Sequence, residues 1–179
     1  MPIIFLIFCG FCSIGCSSVE IDNIDTYPQY EVQEVLSGDT IRFSNGDVVQ
    51  YFGIEAPKPE ELFYQESKAR NKALVEGKLL AIYKSPYAQK EANFQRVYAY
   101  LPTPVEEIPI EDRAYIRDKK NLYYEIAATL LSEGLAKVSN ENDPKYEKLY
   151  KAFERQASEE RRGLWAVNSS LRKDSNSSR

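Results

Sequence analysis

Between Tyr30 and Ile54 the chain is punctuated so closely that one local architecture dominates its folding options. Tyr30 to Leu36 is a β-prone run, and Ser37-Gly38-Asp39 is a turn. Thr40-Ile41-Arg42-Phe43 alternates polar and apolar residues, Asn45-Gly46 is a strong hairpin dipeptide, and Val48 to Ile54 returns as the next strand. Three strands joined by two tight turns make a meander. Its period-two pattern gives each strand a face to bury, so the chain needs partners that cover that face.

The next segments supply them. Pro59 with Glu60 and Glu61 suits the first turn of a helix, where proline loses no hydrogen bond and acids face the positive end of the dipole. Leu62, Phe63, Ala69, Ala73 and Leu74 keep its apolar face, and Gly77 is placed to close it. Leu79–Tyr83 and Phe94–Leu101 read as two more strands around the loop SPYAQKEAN. Pro102 to Lys120 is proline-rich, charged and aperiodic, and is expected to be a long surface loop. Tyr124 to Glu133 reads as a second helix stopped by Gly134, and Leu135–Val138 as a short extended exit. Asp143 as N-cap and Pro144 as N1 open a third helix, with Tyr146, Leu149, Tyr150, Phe153 and Ala157 as its apolar stripe. Gly163 is expected to end it, and Leu164-Trp165 to fold back on the core. Tyr98, Tyr100, Tyr146, Tyr150 and Phe153 are expected to pack inside rather than serve as base-stacking platforms. The order β-β-β-α-β-β-α-α predicts an α+β fold, a five-stranded OB-type barrel with three helices.

Histidine is absent, which removes imidazole bases, nucleophiles and metal ligands; hydrolysis here would have to use carboxylates, a metal, or both. The net charge of −4 argues against a broad basic surface that wraps a phosphate backbone, although a small basic groove is compatible with it. All three cysteines, Cys9, Cys12 and Cys16, precede residue 17, so the rest of the chain can form neither a disulfide nor a thiolate metal site.

Met1 to Gly15 is almost wholly apolar and shorter than the roughly 20 residues a spanning helix needs. It has the character of a signal-peptide core, and Ser13-Ile14-Gly15-Cys16 resembles the lipobox of bacterial lipoproteins, with Ser13 where leucine is usual. The resemblance implies that Cys16 carries lipid and anchors the chain to a membrane. A signal or an anchor of another kind is the alternative, and either places the domain outside the cytoplasm. Residues 16–27 then read as a tether, 28–166 as the domain and 167–179 as a disordered polar tail.

Five phrases resemble the staphylococcal nuclease family, in the same order. Ser37-Gly38-Asp39-Thr40-Ile41 resembles its D-G-D-T-[IV] turn, and Gly53-Ile54-Glu55-Ala56-Pro57 its G-[IV]-D-[AT]-P-E segment. Arg96-Val97-Tyr98-Ala99-Tyr100 resembles G-R-x-L-A-Y, Leu130 to Ala136 resembles L-[IV]-x-x-G-L-A, and Arg162-Gly163-Leu164-Trp165 resembles [KR]-G-[IL]-W. The family cuts phosphodiester bonds with calcium, a hard cation that takes oxygen ligands. The resemblance implies Asp39 and Glu55 as metal carboxylates, the backbone carbonyl of Ala56 as a further ligand, and Arg96 as a phosphate contact.

Two positions depart from that pattern. Gln50 stands where the family has a second arginine, and Lys58 where it has the general-base glutamate. Ser37 also replaces the first aspartate of the turn. A protonated lysine takes no proton from water, and its charge weakens any calcium site beside it. One reading is therefore a catalytically impaired nuclease homologue, a pseudoenzyme acting as a binding or interaction module. It would have weak phosphate or nucleic-acid affinity, or a protein partner in the envelope. The other is an active calcium-dependent endonuclease in which Glu60 or Glu61 serves as a displaced base.

Overall fold

The computed structural model describes residues 23–88, 95–102, 115–117 and 122–166. Strands β1 (Gln29–Val35), β2 (Thr40–Phe43) and β3 (Val48–Tyr51) form the expected antiparallel meander. β4 (Ile54–Glu55), helix α1 (Tyr64–Val75) and strands β5 (Leu79–Tyr83) and β6 (Gln95–Pro102) follow. The sheet order β3-β2-β1-β5-β6 returns on itself through a parallel β3–β6 pairing, which closes a five-stranded mixed barrel. An irregularity in β1 between Val32 and Glu34 lets that strand turn from β2 toward β5.

Beyond the barrel, β7 (Tyr115–Arg117) and β8 (Leu122–Glu125) extend the sheet from β6. Helix α2 (Ile126–Ser132), strand β9 (Lys137–Val138) and helix α3 (Pro144–Glu159) complete the α+β fold, with β9 paired to β4. Short 3-10 turns lie at Ile24–Thr26 and Gly163–Trp165.

The core runs from the barrel lumen to the helices. All seven residues of α2 are buried, and against Tyr98 of β6 the α3 ring of Tyr146 stacks at 4.1 Å and that of Tyr150 meets it edge-on at 6.4 Å. The tyrosines read as core residues are indeed interior: Tyr98, Tyr100, Tyr146 and Tyr150 are all wholly buried, and Phe153 packs against them. Hydroxyls placed in such a core need partners; those of Tyr100 and Tyr146 meet at 2.6 Å.

Glu125 is also wholly buried and opposes Tyr100 across the β6–β8 pair. Its side chain caps α2 by accepting the Ala128 N–H at 2.6 Å. Burial pushes its carboxyl up to about 7, with that N–H pulling the other way. Desolvation raises Tyr51, Tyr98, Tyr100, Tyr146 and Tyr150 around it well above the usual phenol range, so they stay neutral.

Several expectations are corrected. The folded body starts before Pro28: Ile24 is wholly buried, Tyr27 stacks on Tyr83 at 5.3 Å, and Tyr123 donates to Asp25 at 2.7 Å. The end of the expected tether is therefore packed. Val48–Ile54 is two strands, because the chain turns at Phe52-Gly53 so that β4 can meet β9.

Helix α1 begins at Tyr64 and not at Pro59, since the Glu61 carboxylate takes the Lys58 N–H at 2.7 Å and Phe63 adopts a φ of 67°. Both arrest helical propagation upstream. Gly77 lies in a tight turn from Val75 to Lys78 after the helix end, closed by a 3.0 Å bond. The expected loop 102–120 contains β7, and Tyr124-Glu125 belong to β8 rather than to the second helix; β8 pairs with β6, and β7 with β8. The rest of that loop, residues 89–94 and the tail 167–179 lie outside the described residues.

Helix α3 ends at Glu159, before Gly163. Arg161 takes the left-handed position with φ 56°, and the Arg162 N–H reaches back to the Ala157 carbonyl at 2.9 Å. Gly163 serves a different end. A Cβ there would lie 2.2 Å from the Gly134 carbonyl oxygen, and one on Gly134 would lie 2.4 Å from that of Arg162. The two glycines bring the α2 exit and the chain after α3 into backbone contact, joined by Leu164 N–H to Gly134 O at 2.9 Å.

Candidate functional site

An open groove of about 1120 Å³ lies beside the seam where β3 meets β6. Its lining includes the polar residues Asp39, Gln50, Glu55, Lys58, Glu61 and Arg96, with Ala56. It also includes Leu36, Leu62, Phe63, Tyr64 and Leu164. The structure thus brings together every site residue read from the sequence except Glu60, which is exposed and does not line the groove, and Cys16, which lies outside the described residues.

Local structure fixes each position. Gln50 and Arg96 are Cα partners in the parallel β3–β6 pair, so barrel closure sets them side by side. Glu55 lies on β4 opposite Lys137 of β9. The turn that presents Asp39 is pinned from α1: buried Asn71 donates to the Ser37 carbonyl at 3.0 Å and accepts from the Tyr51 hydroxyl at 2.8 Å. Phe63 of the groove lining holds its left-handed backbone without being glycine, a conformation that tertiary contacts must sustain.

Asp39 is buried at 6 % exposure, and the chain's own donors fill both of its oxygens. Oδ1 accepts from Ser37 Oγ at 2.7 Å and Thr40 Oγ1 at 3.0 Å. Oδ2 accepts from Gln50 Nε2 and from the Ala56 backbone N–H, each at 3.1 Å. A carboxylate offers about four acceptor directions, and here four donors take them. Gln50 gives Asp39 a neutral hydrogen bond where an arginine or a cation would bring positive charge. Ser37, which replaces an acid, supplies one of the four donors.

The remaining groups are engaged as well. Glu55 accepts from Ser139 Oγ at 3.1 Å, and Arg96 forms an ion pair with Glu141. The Glu61 carboxylate holds the Lys58 N–H. Residues Ser139 and Glu141, in the segment between β9 and α3, were not singled out in the sequence. Their stretch Ser139–Asn142 is short, polar and without a pattern, and only the fold brings it to Arg96.

This arrangement does not fit calcium, which takes six to eight oxygen ligands, usually several of them carboxylate. The four donors around Asp39, the Ala56 N–H among them, already take its acceptor directions. Among the described residues no three acidic, histidine or cysteine side chains are grouped to hold a metal ion. We therefore derive no step through the ion.

A closed five-stranded mixed barrel with three helices and a polar groove at its seam defines an OB-like α+β fold. Residues 48–167 match the family model described as staphylococcal nuclease homologue, two thirds of the chain, and the chain belongs to that family. None of the curated proteins matches it.

Proposed function

We propose that this chain is an extracytoplasmic lipoprotein whose nuclease-like barrel has lost efficient catalysis and acts as a binding module for phosphate-bearing ligands. The observation that carries the reading is Asp39, whose carboxylate is consumed by Ser37, Thr40, Gln50 and Ala56. A carboxylate so enclosed has no lone pair left for a metal. Lys58, in the family's general-base position, bears a positive charge into the groove and abstracts no proton. Losing one transition-state donor costs roughly 10²–10³ in rate, and losing the base roughly 10²–10⁴. Arg96, Lys58 and Lys137 still line the groove and suit a phosphate or a short stretch of nucleic acid. An envelope protein is the other class of partner for such a module. Membrane attachment through lipid on Cys16 follows from the lipobox resemblance; fatty-acid labelling should mark the wild type and not Cys16→Ala.

The deciding experiment is a nuclease assay with calcium and with chelator. Wild type should show little calcium-dependent cleavage of single-stranded DNA or RNA. Gln50→Arg with Lys58→Glu should restore a phosphate donor and a base, shift the groove's charge in the direction that favours calcium, and raise activity measurably. One observation favours a second reading: Glu61 lines the groove and could replace the lost base. Robust, chelator-sensitive cleavage by wild type that Glu61→Gln abolishes would establish that reading instead.

A further inference from the structure

We infer that Glu141 is a built-in carboxylate competitor, seated on Arg96 where a phosphate would sit and displaced when a phosphate-bearing ligand enters. This rests on the reading of the groove as a phosphate-ligand site and adds its regulation. The two partners differ in freedom. Arg96 leaves the barrel seam with a side chain only 18 % exposed, whereas that of Glu141 is 57 % exposed. The arginine is the fixed member and the glutamate the movable one.

The segment that carries Glu141 is held on both sides. The Ser139 N–H donates to the Gly53 carbonyl at 2.9 Å, and Asn142 Nδ2 donates to the Ser139 carbonyl at 3.1 Å. Asp143, directly behind, caps α3 through the Lys145 N–H at 2.9 Å and accepts from buried Ser85 at 2.8 Å. With the backbone anchored, the Glu141 side chain can leave Arg96 without unfolding anything.

Ser139 couples the pair to a second acid, Glu55. Its Oγ accepts from the Glu141 N–H at 3.2 Å and donates to Glu55 Oε1 at 3.1 Å. Arg96, Glu55 and Ser139 also line one small recess at the groove's edge. A guanidinium offers a carboxylate and a phosphate the same fork of donors, so Glu141 and a ligand oxygen exclude one another. A half-exposed ion pair of this kind favours its closed form by a factor of about five, and apparent ligand affinity falls by the same factor.

The test is calorimetric titration of inorganic pyrophosphate into the full chain. Glu141→Gln should bind about fivefold more tightly than wild type. In an Arg96→Gln background the same substitution should change nothing. Equal affinity of wild type and Glu141→Gln would remove the competitor and leave the phosphate site standing. A gain that persists without Arg96 would also overturn the proposal, because it would report only the loss of one negative charge. Absence of binding by both wild type and Glu141→Gln would remove the phosphate site itself, and the competitor with it.

Discussion

Two pairs of sequence phrases meet in this fold, and the two meetings are made of different materials. Where the α2 exit meets the chain after α3, Gly134 and Gly163 press backbone on backbone, with the Arg162 side chain donating to the Ser132 carbonyl at 3.1 Å beside them. At the groove, the turn at Asp39 meets the segment at Ala56 through a carboxylate, an amide and two hydroxyls. The first junction leaves no room for any other residue. The second can be rebuilt from different donors while its geometry survives, as Gln50 in an arginine's place illustrates. A fold tolerates loss of chemistry at a side-chain junction more readily than loss of a glycine at a backbone one.

The largest effect should come from breaking the backbone junction. Gly134→Ala or Gly163→Ala drives a Cβ to within 2.4 Å of a carbonyl oxygen at a residue whose φ is already positive. Each should cost about 3 kcal/mol or more in urea unfolding. A loss below about 1 kcal/mol would mean that the junction opens freely.

Next comes Glu125, at the opposite end of α2 from Gly134. Its folded pKa of about 7 lies above the ordinary 4.5, so the protonated form favours the fold. Its contribution is fully present below pH 4.5 and is lost as pH rises through about 7, a fall of about 3 kcal/mol from a shift of that size. Glu125→Gln should flatten that part of the stability–pH profile; an unchanged slope would assign the titration elsewhere.

The smallest effect belongs to the side-chain junction. Asp39→Asn turns one acceptor into a donor facing donors and should cost about 1–2 kcal/mol without any calcium present. If unfolding in chelator were unaffected, Asp39 would be kept for a ligand rather than for the fold, and the contrast between the two junctions would fail.

The sequence made local features legible and long-range ones opaque. The meander was readable because its turns are encoded at Ser37–Asp39 and Asn45-Gly46, and the start of α3 because Asp143-Pro144 cap it directly. β7 and β8 were not, because pairing with β6 makes a strand of β8, and pairing with β8 makes one of β7, without any local period. The start of α1 was misplaced because Pro59, Glu60 and Glu61 satisfy a helix rule that the Glu61 side chain then defeats from within.

In the site, the residues that would gather could be named from family phrases, and the groove collects most of them. Their mutual hydrogen bonds could not be read, since Asp39, Gln50 and Ala56 are far apart in the chain. Glu125 did leave a signal: it is the one charge in the apolar stretch from Leu122 to Leu131.

The parallel rung that joins β3 to β6 has a topological meaning. Every other pairing in the barrel is antiparallel, whereas this one joins strands that α1 and β5 separate in the chain. Closing it carries loop entropy comparable to that of the β1–β5 pairing, whose partners lie slightly farther apart in sequence. Gln50 and Arg96 sit on that rung. Without that pairing the two side chains would not stand side by side, so the groove they line exists only in the closed ring.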